Sequence, residues 1–223
     1  LYAFIFLLTF YPYANDGPRG IHQWAQSDRL ALALRYIDGN ELTDAATLSL
    51  KTDDGRTGVE FSGYQYAIAQ LVRVGVLPKA YLPFFYRIST FTLLFTSFFI
   101  LVFSLLKKEK IIFKSLILLG LLSSPILLYY SYNFLPDVLG LSLLLFCLYL
   151  FNKDFEKYLY LILIVSGLSL LIKTSSGIYF ISFMAIYFLR HWNLKNIKHL
   201  GITIAAVLLA ALTFLLYKNE VLV

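Results

Sequence analysis

An all-α, polytopic membrane bundle is the fold class this sequence predicts, and three observations predict it. Of 223 residues, 59% are hydrophobic and only 14% charged, where a soluble domain carries about a quarter charged. Apolar runs recur along the chain, separated by short polar turns. One long polar segment, Ala14–Leu82, interrupts them early and holds eight of the thirteen acidic residues. The reading is a single transmembrane module over residues 1–223. It has two amphipathic juxtamembrane helices in a long first outer loop at 14–82, and further spans at 83–217.

The elements follow in order. Leu1–Tyr13 is shorter than the roughly 20 residues a spanning helix needs. No Met begins the chain, so this run reads as the surviving part of a first span, and truncation is expected at both ends. No small-residue cleavage site follows it, which speaks against a signal peptide. Within the polar segment, Asp28–Ile37 and Tyr64–Val74 pattern as short amphipathic helices. The first stops at Gly39-Asn40, and the second at Gly75 with Pro78 beyond. Between them, KTDDGRTG (Lys51–Gly58) is turn chemistry. Helices too short to span, with one apolar face, lie in the interface plane. Spans are then expected at Pro83–Leu106, Ile111–Tyr130, Pro136–Phe151, Tyr158–Ile172, Ile178–Leu189 and Leu200–Tyr217.

Charge sets the topology. The turns KKEKIIFK, NKDFEK and RHWNLKNIKH carry nine Lys or Arg, whereas YNFLPD and KTSSG carry only Lys173. The positive-inside rule puts the three basic turns in the cytoplasm. The 14–82 loop then lies outside, which places the protein in a membrane such as the bacterial inner membrane with its site toward the periplasm or exterior. The net charge of +6 is accounted for by these turns and does not call for nucleic acid. The lone cysteine, Cys147, lies in an apolar run and excludes a disulfide framework or a Cys-based metal site.

That topology brings Asp28, Glu60, Asp137 and Lys173 to one face, although they come from three parts of the chain. Each has a plainer reading. Asp28, in QSD, could cap a helix beginning there, although a capping residue is also held rigidly enough to act as a base. Glu60 alone would be an exposed loop carboxylate. Asp137, in LPD, suits a helix N-terminus, but an acid entering the membrane is a functional candidate. Lys173 could snorkel to headgroups, yet it runs against the orientation bias. Arg29, Arg35, Arg73 and Arg87 suit phosphate, and equally suit lipid headgroups. His22 with Trp24 could supply a ligand and a stacking face. No nucleotide-binding loop, zinc-protease motif or nucleophile elbow is present.

These elements together resemble the GT-C membrane glycosyltransferases. The likeness is to the branch containing the dolichyl-phosphate-mannose–protein mannosyltransferases and the lipid A aminoarabinose transferase. HQWAQSD (22–28) resembles the HQWRQAD-type signature, with Ala25 where Arg is usual and Ser27 where Ala is. GVEFSGYQYAIAQL (58–71) resembles the second loop motif. Tyr86-Arg87 resembles the arginine opening the next span. SSPILLYYSYNFLPDVLGLSLLLF (123–146) resembles the span ending in an outer acid, and LIKTSSG (171–177) the TKG or TKP element.

The resemblance implies a seven-span N-terminal module that transfers a sugar from a polyprenyl-phosphate donor to a hydroxyl on a protein, lipid or glycan, with inversion. It implies Asp28 as catalytic base and Asp137 as second catalytic acid. Glu60 is then the loop acid able to join a divalent cation, the one cofactor implied. Lys173 and Arg87 then meet the lipid phosphate. Read from the residues themselves, Arg29 is a further phosphate-binding candidate, and His22, Trp24 and Tyr64 complete the expected substrate-binding set. Two other classes stay open: a non-catalytic subunit that binds polyprenyl lipid, and a transporter or flippase. The latter would want acids buried mid-span, broken helices and inverted repeats, whereas the predicted acids are at span ends and no repeat is visible.

Overall fold

A computed structural model describes residues 11–13, 15–45, 47–48 and 60–190, with isolated helical positions at 201, 205, 208, 212 and 215. Most of the Leu1–Tyr13 run, the KTDDGRTG turn, nearly all of the RHWNLKNIKH turn and most of the Leu200–Tyr217 span lie outside the described residues.

The described fold is all-helical: α1 (Gln23–Ile37), α2 (Gly63–Arg73), α3 (Leu82–Leu105), α4 (Ile111–Leu122), α5 (Pro125–Ser131), α6 (Asp137–Ile172) and α7 (Gly177–Arg190). Among the described residues, two helical segments are long and apolar enough to cross a membrane, Lys79–Leu105 and Asp137–Ile172, and α4 with α5 makes a third if the bent pair is one span. The seven spans expected from the sequence are thus met only at this coarser level.

Local chemistry sets the boundaries. α3 carries Pro83 in its first turn, where a missing N–H costs nothing. α4 and α5 diverge by 71°, so the single span expected at Ile111–Tyr130 is broken. Pro125 is the cause: Ser124 before it is extended, at φ −60° and ψ 121°, because the proline ring disfavours helical backbone in the preceding residue.

α6 turns back on itself at Asp154, whose backbone is extended (φ −169°, ψ 98°). Ser169 Oγ donates to the Gly140 carbonyl at 2.9 Å, and Cys147 Sγ approaches the Ile162 carbonyl. Twenty-nine residues separate Ser169 from Gly140, about 43 Å along a straight helix. The two arms, 137–153 and 155–172, are therefore antiparallel. Asp154 Oδ1 accepts the Lys157 N–H at 3.1 Å and so caps the second arm.

The arms bury Leu144, Cys147, Leu150, Leu159 and Ile162 against each other and against Phe183 and Tyr187 of α7. On the other side, Val138 and Leu145 pack with Leu94, Phe98 and Leu101 of α3 and Leu118 and Leu122 of α4. α1 and α2 form a hairpin at one end of the bundle. There Ala33 and Ile68 pack with Leu82, Tyr86 and Phe134. At the opposite end Asn152 reaches Ser104, so the basic turns after α3 and between the arms of α6 share that end.

Candidate functional site

Four charged side chains form a continuous chain of ion pairs at the α1–α2 end. Lys173 Nζ lies 3.3 Å from Asp137 Oδ1 and 3.2 Å from Glu60 Oε1. Arg29 Nη2 holds the other Glu60 oxygen at 3.0 Å, and its Nη1 donates to the Glu60 carbonyl. All four are half-buried. Two acids and two cations make the group formally neutral.

The backbone explains why these residues meet. Reversal at Asp154 returns Lys173, just past the last turn of α6, to the level of Asp137 at its first turn. Gly140 permits the approach: a Cβ there would stand 3.2 Å from Lys173 Cβ and 3.3 Å from Ser176 Oγ. The α6 C-terminus leaves carbonyls without helical partners, and that of Leu171 accepts the Phe61 N–H at 3.1 Å. This bond helps bring Glu60 to Lys173. Arg29 arrives on α1, which packs on α2 through Leu32, Tyr36 and Ala69.

Electrostatics favour a charged Lys173. Burial works against the ammonium, but Asp137 and then Glu60 outweigh it, so its pKa stands above the ordinary lysine value of 10.5. Glu60 has each oxygen on a cation, and among the described residues no three potential metal ligands converge. The ammonium lies between Glu60 and Asp137, within 3.3 Å of an oxygen of each.

Asp28 is placed differently from its sequence reading. α1 begins at Gln23, not at Asp28, and no side-chain bond caps it. The earlier start is fixed by tertiary contacts. Gln26 Nε2 reaches back to the Arg19 and Ile21 carbonyls and to Tyr129, and the Tyr129 hydroxyl donates to Ile21. Asp28 is thus mid-helix, half-buried, and accepts the Leu48 N–H at 3.3 Å. Among the described residues it makes no ion pair with the four-residue group, although Arg29 is its chain neighbour.

Arg87, which the resemblance implies as a lipid-phosphate group, is turned inward. It is 2% exposed. Its guanidinium donates to the carbonyls of Tyr13, Asp16, Gly17 and Tyr132 and lies over the Phe134 ring. It clamps the segment leading into α1. Tyr64 is likewise packed inward: its hydroxyl bonds Ser89 and Thr90, its ring meets Tyr86 edge-on, and burial raises its pKa. His22 sits exposed at a left-handed φ of 61°, near Tyr130. Trp24 is 73% exposed. Of the residues singled out from sequence, the fold therefore unites Arg29, Glu60, Asp137 and Lys173.

Gly140, Ser169, Asp154 and Gln26 were not anticipated as positioning residues. Of these only Gly140, a glycine inside an apolar run, gave a signal of close approach.

No family model, no curated protein and no solved structure matches the chain.

Proposed function

We propose that the chain is a membrane glycosyltransferase of the GT-C type, moving a sugar from a polyprenyl-phosphate donor to an acceptor hydroxyl on the extracytoplasmic side. The observation that most supports this is the ion-pair chain Asp137–Lys173–Glu60–Arg29, at the end of the bundle opposite the two described basic turns. Cations held by acids at a membrane rim suit a donor whose tail lies in the bilayer and whose phosphate lies at its edge. The resemblance in HQWAQSD and LIKTSSG supports the same reading.

In this mechanism Asp28 takes the proton from the acceptor hydroxyl as that oxygen attacks the anomeric carbon. The bond from the anomeric carbon to the phosphate oxygen breaks on the opposite face, so the configuration inverts and polyprenyl phosphate leaves. Lys173 and Arg29 stabilise the leaving phosphate with charge-assisted hydrogen bonds. Glu60 and Asp137 keep the two cations in place before the donor arrives. No step is routed through a metal ion, and Arg87 acts only on the backbone. The seven-span module belongs to this proposal.

The test is incubation of membranes containing the chain with labelled polyprenyl-phosphate sugars, following release of polyprenyl phosphate. Asp28→Asn is expected to lower transfer by about 10²–10⁴-fold, the usual worth of a general base, with folding unchanged. Normal transfer in that variant removes Asp28 from the mechanism. One observation favours a second reading, a polyprenyl-lipid-binding subunit without catalysis: Asp28 stands outside the ion-pair chain. Donor binding without turnover in the wild type selects that reading.

A further inference from the structure

We propose that the turn between α2 and α3 is a membrane anchor, with Val74 and Val76 seated at the headgroup–acyl boundary of a phospholipid leaflet and Arg73 beside the lipid phosphates. Val74 is 69% and Val76 71% exposed. Tyr81, Arg73 and Lys79 are also exposed. The turn is tightly made. Gly75 takes the left-handed φ of 77°, its N–H and those of Val76 and Leu77 close on the Val72 and Leu71 carbonyls, and Leu77 packs with Leu82 and Tyr86. The two valines are thus held outward by a fixed backbone.

The depth follows from α3. Its 24 residues rise about 36 Å at 1.5 Å each, against a hydrocarbon core of about 30 Å. When Lys79–Leu105 crosses a bilayer, Leu82 lies at one boundary, and the turn pinned to Leu82 lies at the same level. Apolar side chains with a tyrosine, an arginine and a lysine are the composition of a headgroup-level segment. The turn sits at the end of a helix long and apolar enough to cross a bilayer, whose Leu93 and Phe99 are also exposed, which commits it to lipid rather than to a protein partner. Seated there, the turn fixes the depth of the α1–α2 hairpin, and with it Arg29 and Glu60. This inference rests on the membrane reading of the chain and not on its proposed chemistry.

The experiment uses the full chain in phospholipid nanodiscs, in a Cys147→Ala background that removes the only cysteine. An environment-sensitive fluorophore is placed at Val76→Cys, at Val74→Cys as a second site, and at Phe99→Cys as a marker of the span. Quenching is read with nitroxides near the lipid carbonyls, with nitroxides deep in the chains, and with aqueous iodide. The anchor predicts blue-shifted emission at 76 and 74, strong quenching by the shallow nitroxide and loss of iodide quenching, with Phe99 also quenched by lipid nitroxides. Iodide quenching at both turn sites overturns the proposal. Protection from both iodide and lipid nitroxides also overturns it, since a protein then covers the turn. If Phe99 escapes every lipid nitroxide, the membrane reading itself has failed and the anchor falls with it, whereas glycosyl transfer remains a separate measurement.

Discussion

Lys173 stands 3.3 Å from Asp137, although Asp137 opens a helical segment of 36 residues and Lys173 follows its last residue. They meet because the chain reverses midway between them. Glu60 then joins from a distant loop through the bond from the Phe61 N–H to the Leu171 carbonyl.

Replacing Lys173 tests the centre of this arrangement. Lys173→Met leaves Glu60 and Asp137 without the ammonium between them. Transfer from a polyprenyl-phosphate donor should fall by about 10²–10³-fold, the loss typical when one preorganised charge stabiliser is removed. Lys173→Arg should retain more activity than Met. Equal activity of Met and wild type in the phosphate-release assay would exclude Lys173 from the site.

The same amine predicts a dependence of stability on pH. Its folded-state pKa is raised above 10.5, with the charge of Asp137 and then Glu60 overcoming burial. A raised pKa in a cation contributes stability that is fully present below the unfolded value and is lost as pH rises through the folded one. The melting-temperature gap between wild type and Lys173→Met should therefore be constant near neutrality and close only in strongly alkaline buffer, above the ordinary lysine range. A gap that closes between neutrality and mildly alkaline pH contradicts the ion-pair geometry.

Gly140 sets the separation of the arms. Gly140→Ala brings a Cβ to 3.2 Å from Lys173 Cβ, so the lysine must give by a few tenths of an ångström. Gly140→Leu should wedge the arms apart, at a cost of about 1–3 kcal/mol for overpacking, and should disrupt the Lys173–Asp137 contact. Thermal unfolding in detergent should rank glycine, alanine and leucine in that order.

Asp154 is expected to matter for the turn rather than for chemistry. Asp154→Ala removes the cap on the Lys157 N–H and should cost about 0.5–2 kcal/mol, whereas Asn should recover most of it. Transfer per folded molecule should not change.

Arg87→Met leaves the carbonyls of Tyr13, Asp16, Gly17 and Tyr132 without their donor, and the buried one of Tyr132 alone should cost about 1–3 kcal/mol. Arg87→Lys should rescue little, because one ammonium cannot copy the planar fork. The expected readout is loss of folded protein. Full expression and stability of Arg87→Met would show that the clamp is dispensable.

The helical class could be read from composition and apolar runs, and the end of the bundle shared by Glu60, Asp137 and Lys173 from the distribution of lysines among turns. Contact between them could not. It depends on where the reversal at Asp154 falls and on a backbone bond from Phe61, and neither leaves a pattern in side-chain type. Asp28 was misplaced relative to its helix because QSD looks like a cap, while the real start is set by Gln26 and Tyr129 from far along the chain. Arg87 looked like a phosphate ligand by position alone, and only the fold reveals the carbonyls around it. The break at Ser124 was legible in Pro125, yet the apolar run across it read as one span.

The hairpin within α6 couples the lengths of its arms. One residue gained or lost in the arm 155–172 swings everything beyond it by about 100°, carrying Lys173 off the side where Asp137 waits. A matching change in the arm 137–153 would not restore the meeting, because rotations of opposed helices do not cancel. Natural variants of this chain should therefore differ in length in the turn between α3 and α4, while the count of residues from Asp137 to Lys173 stays constant.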